Sequence, residues 1–137
     1  MSRILDINIS AINYSNASHQ IVDWGRAHES RYVCACNVHM IMEAHDHLSF
    51  RQILNNADLV TPDGMPLVWM MRIKGEPNQS RVYGPTLMLH ILALAEKEKL
   101  PIGFLGSTDH VLTKLSINLK KKFLNLMINY CNSPSFG

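Results

Sequence analysis

The chain has 137 residues, enough for one compact domain and too few for two of ordinary size. Apolar residues make up 47% and charged residues 18%, which excludes a disordered chain and suits a packed α/β domain or one that meets an apolar partner. Lys and Arg number 13 against 11 Asp and Glu, and a net charge of +2 leaves no electrostatic footprint for nucleic acid, so none is expected as a partner.

Strand-like and helix-like segments alternate along the chain. Residues 3–9 form a short β-rich run. Residues 17–28 have helical spacing, with Ile21, Val22 and Trp24 for a core and Ser15 or Asn16 as the cap. Residues 32–36 are an apolar strand ending at Asn37. Residues 40–55 read as one bent helix or two short ones, with Ile41, Ala44, Leu48, Ile53 and Leu54 as the apolar positions. Residues 58–61 are a brief strand that stops at Pro62-Asp63-Gly64, and residues 65–73 are an apolar helix closed by Lys74-Gly75. After a polar loop at 76–80, Gly84-Pro85-Thr86 opens a helix through residue 99, proline being well placed in a first turn. Residues 100–105 are a strand, closed by Gly106-Ser107-Thr108-Asp109. A helix at 111–122 and a strand at 126–131 follow. Such alternation means βαβ units and a mostly parallel sheet flanked by helices. Ligands in such sheets sit at the carboxyl ends of strands, so Asn37, the Asp63 loop and the Gly106 loop are expected on one rim.

Cys34, Cys36 and Cys131 do not make an even disulfide set, and a reduced, cytoplasmic protein is the expectation. Cys34 and Cys36 share a strand face and read as small buried hydrophobes. No basic n-region leads into a long apolar stretch at the start, so no signal peptide is expected. No apolar run approaches the roughly 20 residues that span a bilayer. Lys120-Lys121-Lys122 reads as the solvated end of a helix, where cations suit the dipole, with a phosphate or lipid-headgroup contact as the alternative. Met65, Trp69, Met70 and Met71 read as core, with a lipid-facing surface as the alternative.

Asp63 is the strongest chemical candidate. Pro62 stiffens its approach and Gly64 lets a ligand come near, so its carboxylate can accept a proton from an attacking hydroxyl. Spacing alone favours the plainer reading, in which Asp63 caps the following helix. Gly106-Ser107-Thr108-Asp109 can hold a phosphate on helix-start amides or simply cap a helix, and Asp109 opposes an anion. Arg81 can clamp a diphosphate through its planar fork or be an ordinary surface arginine. His39 and Glu43 share a helix face, whereas His45 and His47 do not face each other, and no HExxH or CxxC spacing points to a metal. His39 stands nearest the Asp63 loop.

Four blocks, in this order and spacing, resemble the WecG/TagA/CpsF glycosyltransferase family. They are Asn37-Val38-His39-Met40-Ile41-Met42-Glu43-Ala44, Ala57-Asp58-Leu59-Val60-Thr61-Pro62-Asp63-Gly64-Met65-Pro66, Arg81-Val82-Tyr83-Gly84-Pro85 and Phe104-Leu105-Gly106-Ser107. The resemblance implies a Rossmann-like α/β domain, with residues 1–137 as a single N-terminal portion and the C-terminal βα units missing. It implies inverting transfer of an N-acetylhexosamine, typically N-acetylmannosamine, from a UDP-sugar donor to a polyprenyl-diphosphate-linked acceptor in cell-surface polymer synthesis. No metal and no cofactor are implied. Asp63 falls on the family's general base. Asn37, His39, Thr61, Gly64, Arg81, Gly106 and Ser107 fall in the substrate-binding blocks. Peripheral contact with the inner face of the cell membrane follows from such an acceptor, and the unclosed sheet edge makes a homo-oligomer an expectation.

The pattern is not complete. Ala35 stands where many members have Thr, Gly106-Ser107 replaces a double glycine, and Pro134-Ser135-Phe136 replaces Pro-Pro-Phe. Members run on past the position of Gly137, through a glycine-rich donor loop and a basic C-terminal segment. Two rival readings follow: a catalytically inactive truncated remnant or binding domain, and a generic nucleotide-binding α/β enzyme unrelated to sugars.

Overall fold

A computed structural model describes residues 1–135. The α/β class expected from the alternation is borne out, with the sheet divided into short pairs rather than continuous.

β1 (Ser2–Ile4) and β2 (Ile7–Ile9) form an antiparallel hairpin, Ile4 opposite Ile7, where the sequence reads as a single run. The turn is Leu5-Asp6, with φ of 46° and 67°. Two left-handed central residues are what a tight hairpin needs, and Asn-Gly is the usual signal. Leu5-Asp6 carries no such signal, which is why the turn is invisible to pattern reading. Left-handed backbone costs about 1–2 kcal/mol per ordinary residue. Burial of Ile4, Ile7 and Ile9, 2%, 0% and 0% exposed, offsets this at about 1.5–3 kcal/mol each. Asn55 clamps the turn, its Nδ2 donating to Asp6 O at 2.8 Å and its Oδ1 accepting from Asn8 N–H at 3.0 Å.

α1 (Tyr14–Arg26) starts earlier than residue 17, because Asn13 rather than Ser15 or Asn16 is the cap. Asn13 Oδ1 accepts from Asn16 N–H at 2.8 Å, the third amide of the helix and one that has no partner within it. β3 (Val33–Cys36) leads into α2 (Val38–Asp46), which Asn37 caps in the same way by accepting from Met40 N–H at 3.0 Å. The choice between one bent helix and two resolves as two. His47 is extended, ends α2 and starts α3 (Leu48–Asn56).

β4 (Leu59–Pro62) pairs parallel with β3, with Ala35 opposite Thr61 and Cys36 opposite Pro62. β2 is tied to β4 through Ser10, whose N–H donates to Val60 O at 2.8 Å and whose hydroxyl accepts from Val60 N–H at 3.0 Å. α4 (Met65–Ile73) follows. Leu67, Val68 and Met71 are buried, but Trp69 is 56% and Met70 40% exposed, so these two are not core. One side of a nine-residue helix meets the core, and positions 66, 69, 70 and 73 fall on the other.

α5 (Gly84–Lys97) packs against α1 and ends where Lys99 turns left-handed at φ 55°. β5 (Ile102–Leu105) pairs parallel with β6 (Ile128–Asn132), connected by α6 (Asp109–Lys122). Leu126, expected to begin the last strand, instead sits in the turn before it and packs on Phe123 and Leu119. Lys120, Lys121 and Lys122 form the last turn of α6 as expected. Of Pro134-Ser135-Phe136, Phe136 lies outside the described residues.

Among the described residues the core has three parts. Ile7, Leu54, Val60 and Met71 centre the first, between the hairpin, β3–β4 and α2–α4. Leu92, Leu119 and Phe123 centre the second, under β5–β6. Ala17, Leu59, Val82 and Leu87 join α1, α5 and β4 in the third. Val82 of this third cluster lies in the segment that completes the site.

Candidate active site

The site forms where two chain segments meet at the carboxyl ends of β3 and β4. The first is the exit from β4. Asp63 N–H donates to Cys36 O at 2.9 Å, extending the pairing one step and keeping Asp63 beside Asn37. Gly64 packs against Asn37, within 3.9 Å of its Cα and Cβ measured from the position a Cβ would take.

The second segment is residues 81–84, extended until α5 begins. Val82 N–H donates to Pro62 O at 2.8 Å and so lays this segment along the end of β4. Gly84 N–H, the first amide of α5, then points at Asp63 Oδ2 at 3.4 Å. Arg81 Nη2 lies 3.4 Å from Asp63 Oδ1, and its Nε donates to Asp63 O. A side chain at position 84 would meet Asp63 Oδ2 at 3.4 Å and Ala35 Cβ at 3.6 Å, so glycine leaves the carboxylate room.

This geometry resolves the ambiguity over Asp63. α4 is capped by Gly64 and has no side-chain cap hydrogen bond, so Asp63 does not cap the helix that follows it. It reaches across to the start of α5 instead, where helix-end amides and an arginine favour a negative charge. The contacts of 3.4 Å are long for hydrogen bonds, so the carboxylate is held loosely. Its side chain is 20% exposed, so the carboxylate remains open to solvent. An ionised carboxylate has about four acceptor positions, and these two donors leave others open.

The remaining sequence-predicted residues divide into those that join this group and those that do not. Asn37 and Gly64 join it. Asn37 Oδ1 is occupied by the Met40 amide, leaving its NH₂ group for a ligand. His39 stands on the exposed first turn of α2, its Nε2 3.8 Å from Glu43 Oε1, and Glu43 Oε2 is 3.9 Å from His47. Thr61 is 0% exposed, and its hydroxyl has no hydrogen-bond partner among the described residues, so it lies beneath the site rather than on its surface. Gly106 and Ser107 turn left-handed at φ 129° and 58°. Gly106 N–H donates to Asn132 O at 2.9 Å and Ser133 Oγ to Ser107 O at 2.6 Å. This loop is therefore tied to β6, and β5 does not pair with β4, so the expected common rim joins the β3 and β4 loops but not this one. Thr108 caps α6, accepting from Val111 N–H at 3.3 Å.

Sequence reasoning missed Tyr83 and Gly84 as site residues. Residues two apart in extended chain share a face, and the Arg81 guanidinium indeed lies 4.3 Å from the Tyr83 ring centroid. That alternation was the available signal. Three clefts elsewhere, one beside Ile12, Glu76 and Gln79, one between α6 and Cys131 and one beside Thr86, His90 and Lys122, lack a convergent set of charged groups among the described residues. At Asp63, by contrast, carboxylate, guanidinium and helix start converge.

Cys36 is a buried neighbour of this group. Burial, then Cys34 and Asp63, push its thiol up to about 12. A thiolate is the reactive form, so Cys36 is expected to resist a thiol reagent at pH 8 while exposed Cys131 is modified, as mass spectrometry of the labelled protein will read. The raised value also sets a pH dependence. Cys36 keeps its proton more tightly folded than unfolded, so its contribution is complete below about pH 9 and is lost as pH rises towards 12.

The profile of the glycosyl transferase WecG/TagA/CpsF family matches residues 2–137. The chain belongs to this family. A curated relative from Bacillus spizizenii, an N-acetylglucosaminyldiphosphoundecaprenol N-acetyl-beta-D-mannosaminyltransferase, is 26% identical over 114 residues. The match takes in 83% of this chain and 44% of the relative, so the chain spans less than half the length of that WecG/TagA/CpsF relative. The blocks that build the Asp63 group, at 35–37, 61–64 and 81–84, all lie within the matched family region.

Proposed function

We propose that this WecG/TagA/CpsF protein transfers an N-acetylhexosamine, N-acetylmannosamine being the leading candidate, from a UDP donor to a polyprenyl-diphosphate-linked acceptor sugar. The observation that carries the reading is Asp63, held at a strand end between Arg81 and the first amide of α5 and still open to solvent. The name of the Bacillus relative supports both the sugar moved and the lipid-linked acceptor.

In this reaction the acceptor hydroxyl oxygen attacks the anomeric carbon from the side opposite the nucleotide. The new C–O bond forms as the bond to the β-phosphate oxygen of UDP breaks. UDP departs with the electron pair, the configuration inverts, and Asp63 takes the hydroxyl proton. Arg81 offsets charge on a diphosphate through its fork, and the Asn37 NH₂ group donates to a sugar oxygen.

A lipid-linked acceptor sits at a membrane. No helix among the described residues is long and apolar enough to cross one. Peripheral contact is therefore the proposed arrangement, at the inner face where a nucleotide sugar is available. The exposed side of α4, with Trp69, Met70 and Ile73 beside Arg72 and Lys74, supports it, since that helix starts two residues after Asp63.

The test is transfer from UDP-N-acetylmannosamine to a lipid-linked N-acetylglucosamine analogue, followed as UDP release and product mass, on residues 1–137 and on any longer form. Product from either supports the reading. Activity with another nucleotide sugar alone corrects the donor, and inactivity of every form sinks the assignment. A second reading, binding without turnover by residues 1–137, is favoured by the Gly106-Ser107 turn being tied to β6 and not to the Asp63 group. Sugar transfer by that chain alone defeats it.

A further inference from the structure

Every backbone amide from Val82 to Gly84 has a defined acceptor, and the acceptors alternate. Val82 N–H points to Pro62 O at 2.8 Å and Gly84 N–H to Asp63 Oδ2 at 3.4 Å, both towards β4. Tyr83 N–H points away, to the Tyr14 hydroxyl oxygen at 3.0 Å. Tyr14 is the first residue of α1, and its ring stacks on His90 of α5, with centroids 5.0 Å apart and planes 11° from parallel. Tyr83 is the residue before α5 and has no side-chain cap of its own. The entry into α5 is thus gripped from two sides, by β4 and Asp63 on one and by Tyr14 on the other.

We propose that Tyr14 is a positioning residue for the active site: its hydroxyl, steadied by the His90 stack, fixes the Tyr83 backbone, and so aims the Gly84 amide and the Arg81 guanidinium at Asp63. This rests on the reading of Asp63 as the proton acceptor. The physical argument is one of constraint. Extended backbone between two helical segments has two soft dihedrals per residue. Bonds on one edge alone leave it free to rock about the line through Pro62 O. A bond on the opposite edge at Tyr83 removes that freedom one residue from Gly84 and two from Arg81. The cation–π pair of Arg81 and Tyr83, at 4.3 Å, passes the same restraint to the guanidinium. The stack on His90 matters because a tyrosine hydroxyl is placed only as well as its ring.

The experiment separates hydroxyl from ring. In Tyr14→Phe the stack remains and the acceptor is lost. By NMR on the ¹⁵N,¹³C-labelled chain, Tyr83 and Gly84 amides are expected to exchange about fivefold faster, the factor that one ordinary hydrogen bond supplies. The Asp63 Cγ resonance is expected to move. Amides of Val22 in α1 and Leu92 in α5 are expected to keep their exchange rates. His90→Phe, which preserves a ring to stack on, is expected to leave Tyr83 and Gly84 as in the native chain, while His90→Ala loosens them. In a form that transfers sugar, Tyr14→Phe is expected to lower kcat through the misaimed Asp63 and to raise KM through the loosened Arg81 clamp.

Unchanged exchange at Tyr83 and Gly84 with an unmoved Asp63 resonance overturns the proposal, whatever Asp63 does. Faster exchange spread over all of α1 overturns it too, because Tyr14 then supports the helix and not the site. If Tyr14→Phe fails to fold, the two His90 variants decide by the same signals. Failure of the underlying reading looks different: Asp63→Asn then retains turnover while the Tyr14 effects on the amides persist.

Discussion

Asp63→Asn is expected to lower sugar transfer by about 10²–10⁴ while leaving the fold in place, the range that a positioned general base contributes. Asparagine has the shape of aspartate, and its Oδ1 can still accept the Gly84 amide. What it lacks is basicity and charge. The lost charge removes the attraction of Arg81, whose side chain is 44% exposed, and of the α5 start. Partly exposed ion pairs contribute about 0–1 kcal/mol and helix-end charges a similar amount, so the melting temperature should fall by only a few degrees. Rate and melting temperature measured on one preparation separate chemistry from folding. A folded Asp63→Asn protein that keeps more than about a tenth of the native rate is incompatible with a proton-accepting Asp63. Arg81→Lys is the informative companion. It keeps the charge but loses the planar fork, so restoration of activity by lysine would mean that Arg81 acts as a point charge rather than as a diphosphate clamp.

Leu54→Ala is expected to destabilise the chain by about 2–5 kcal/mol, whereas Ile53→Ala one residue away should cost about 0.5 kcal/mol or less. Leu54 is 0% exposed and packs with Ile7, Val60 and Met71. Its truncation leaves a cavity that hairpin, strand and two helices cannot close together. Ile53 is 54% exposed, and its contribution is a carbonyl that accepts from the Tyr32 hydroxyl at 2.6 Å, which alanine preserves. Urea unfolding of both variants reads the contrast. Equal losses would show that α3 packs through a different face. The same loss at Leu54 should reach function, because Val60 leads directly to Thr61, Pro62 and Asp63 on β4.

These expectations draw on two kinds of legibility. Where a local pattern has one physical meaning, reading it along the chain succeeded. The apolar strand ending at Asn37, the strand that stops at Pro62-Asp63-Gly64, and Gly84-Pro85 opening a helix each became the element expected, because proline and glycine act within a few residues. The hairpin turn failed because Leu5 and Asp6 are not turn formers. They are forced left-handed by three isoleucines that must all reach the core. Trp69 and Met70 were misplaced for a related reason. Composition makes the whole of α4 apolar, and only packing with Leu54, Val60 and the hairpin selects Leu67 and Met71 for its buried side.

The sequence by itself determined the α/β class, the order of the elements and the identity of Asp63, Asn37 and Arg81 as residues of interest. It did so because propensity, capping and block spacing are local. It could not decide whether Asp63 caps α4 or serves a site, since both uses have the same neighbours in the chain. Only the tertiary structure decided that Asp63 does not cap α4, by bringing residues 81–84 alongside β4 through the Val82–Pro62 hydrogen bond, so that an amide 21 positions away meets the carboxylate. It likewise separated the Gly106 loop from the Asp63 group, because which strands pair is settled by long-range packing and not by the residues at their ends.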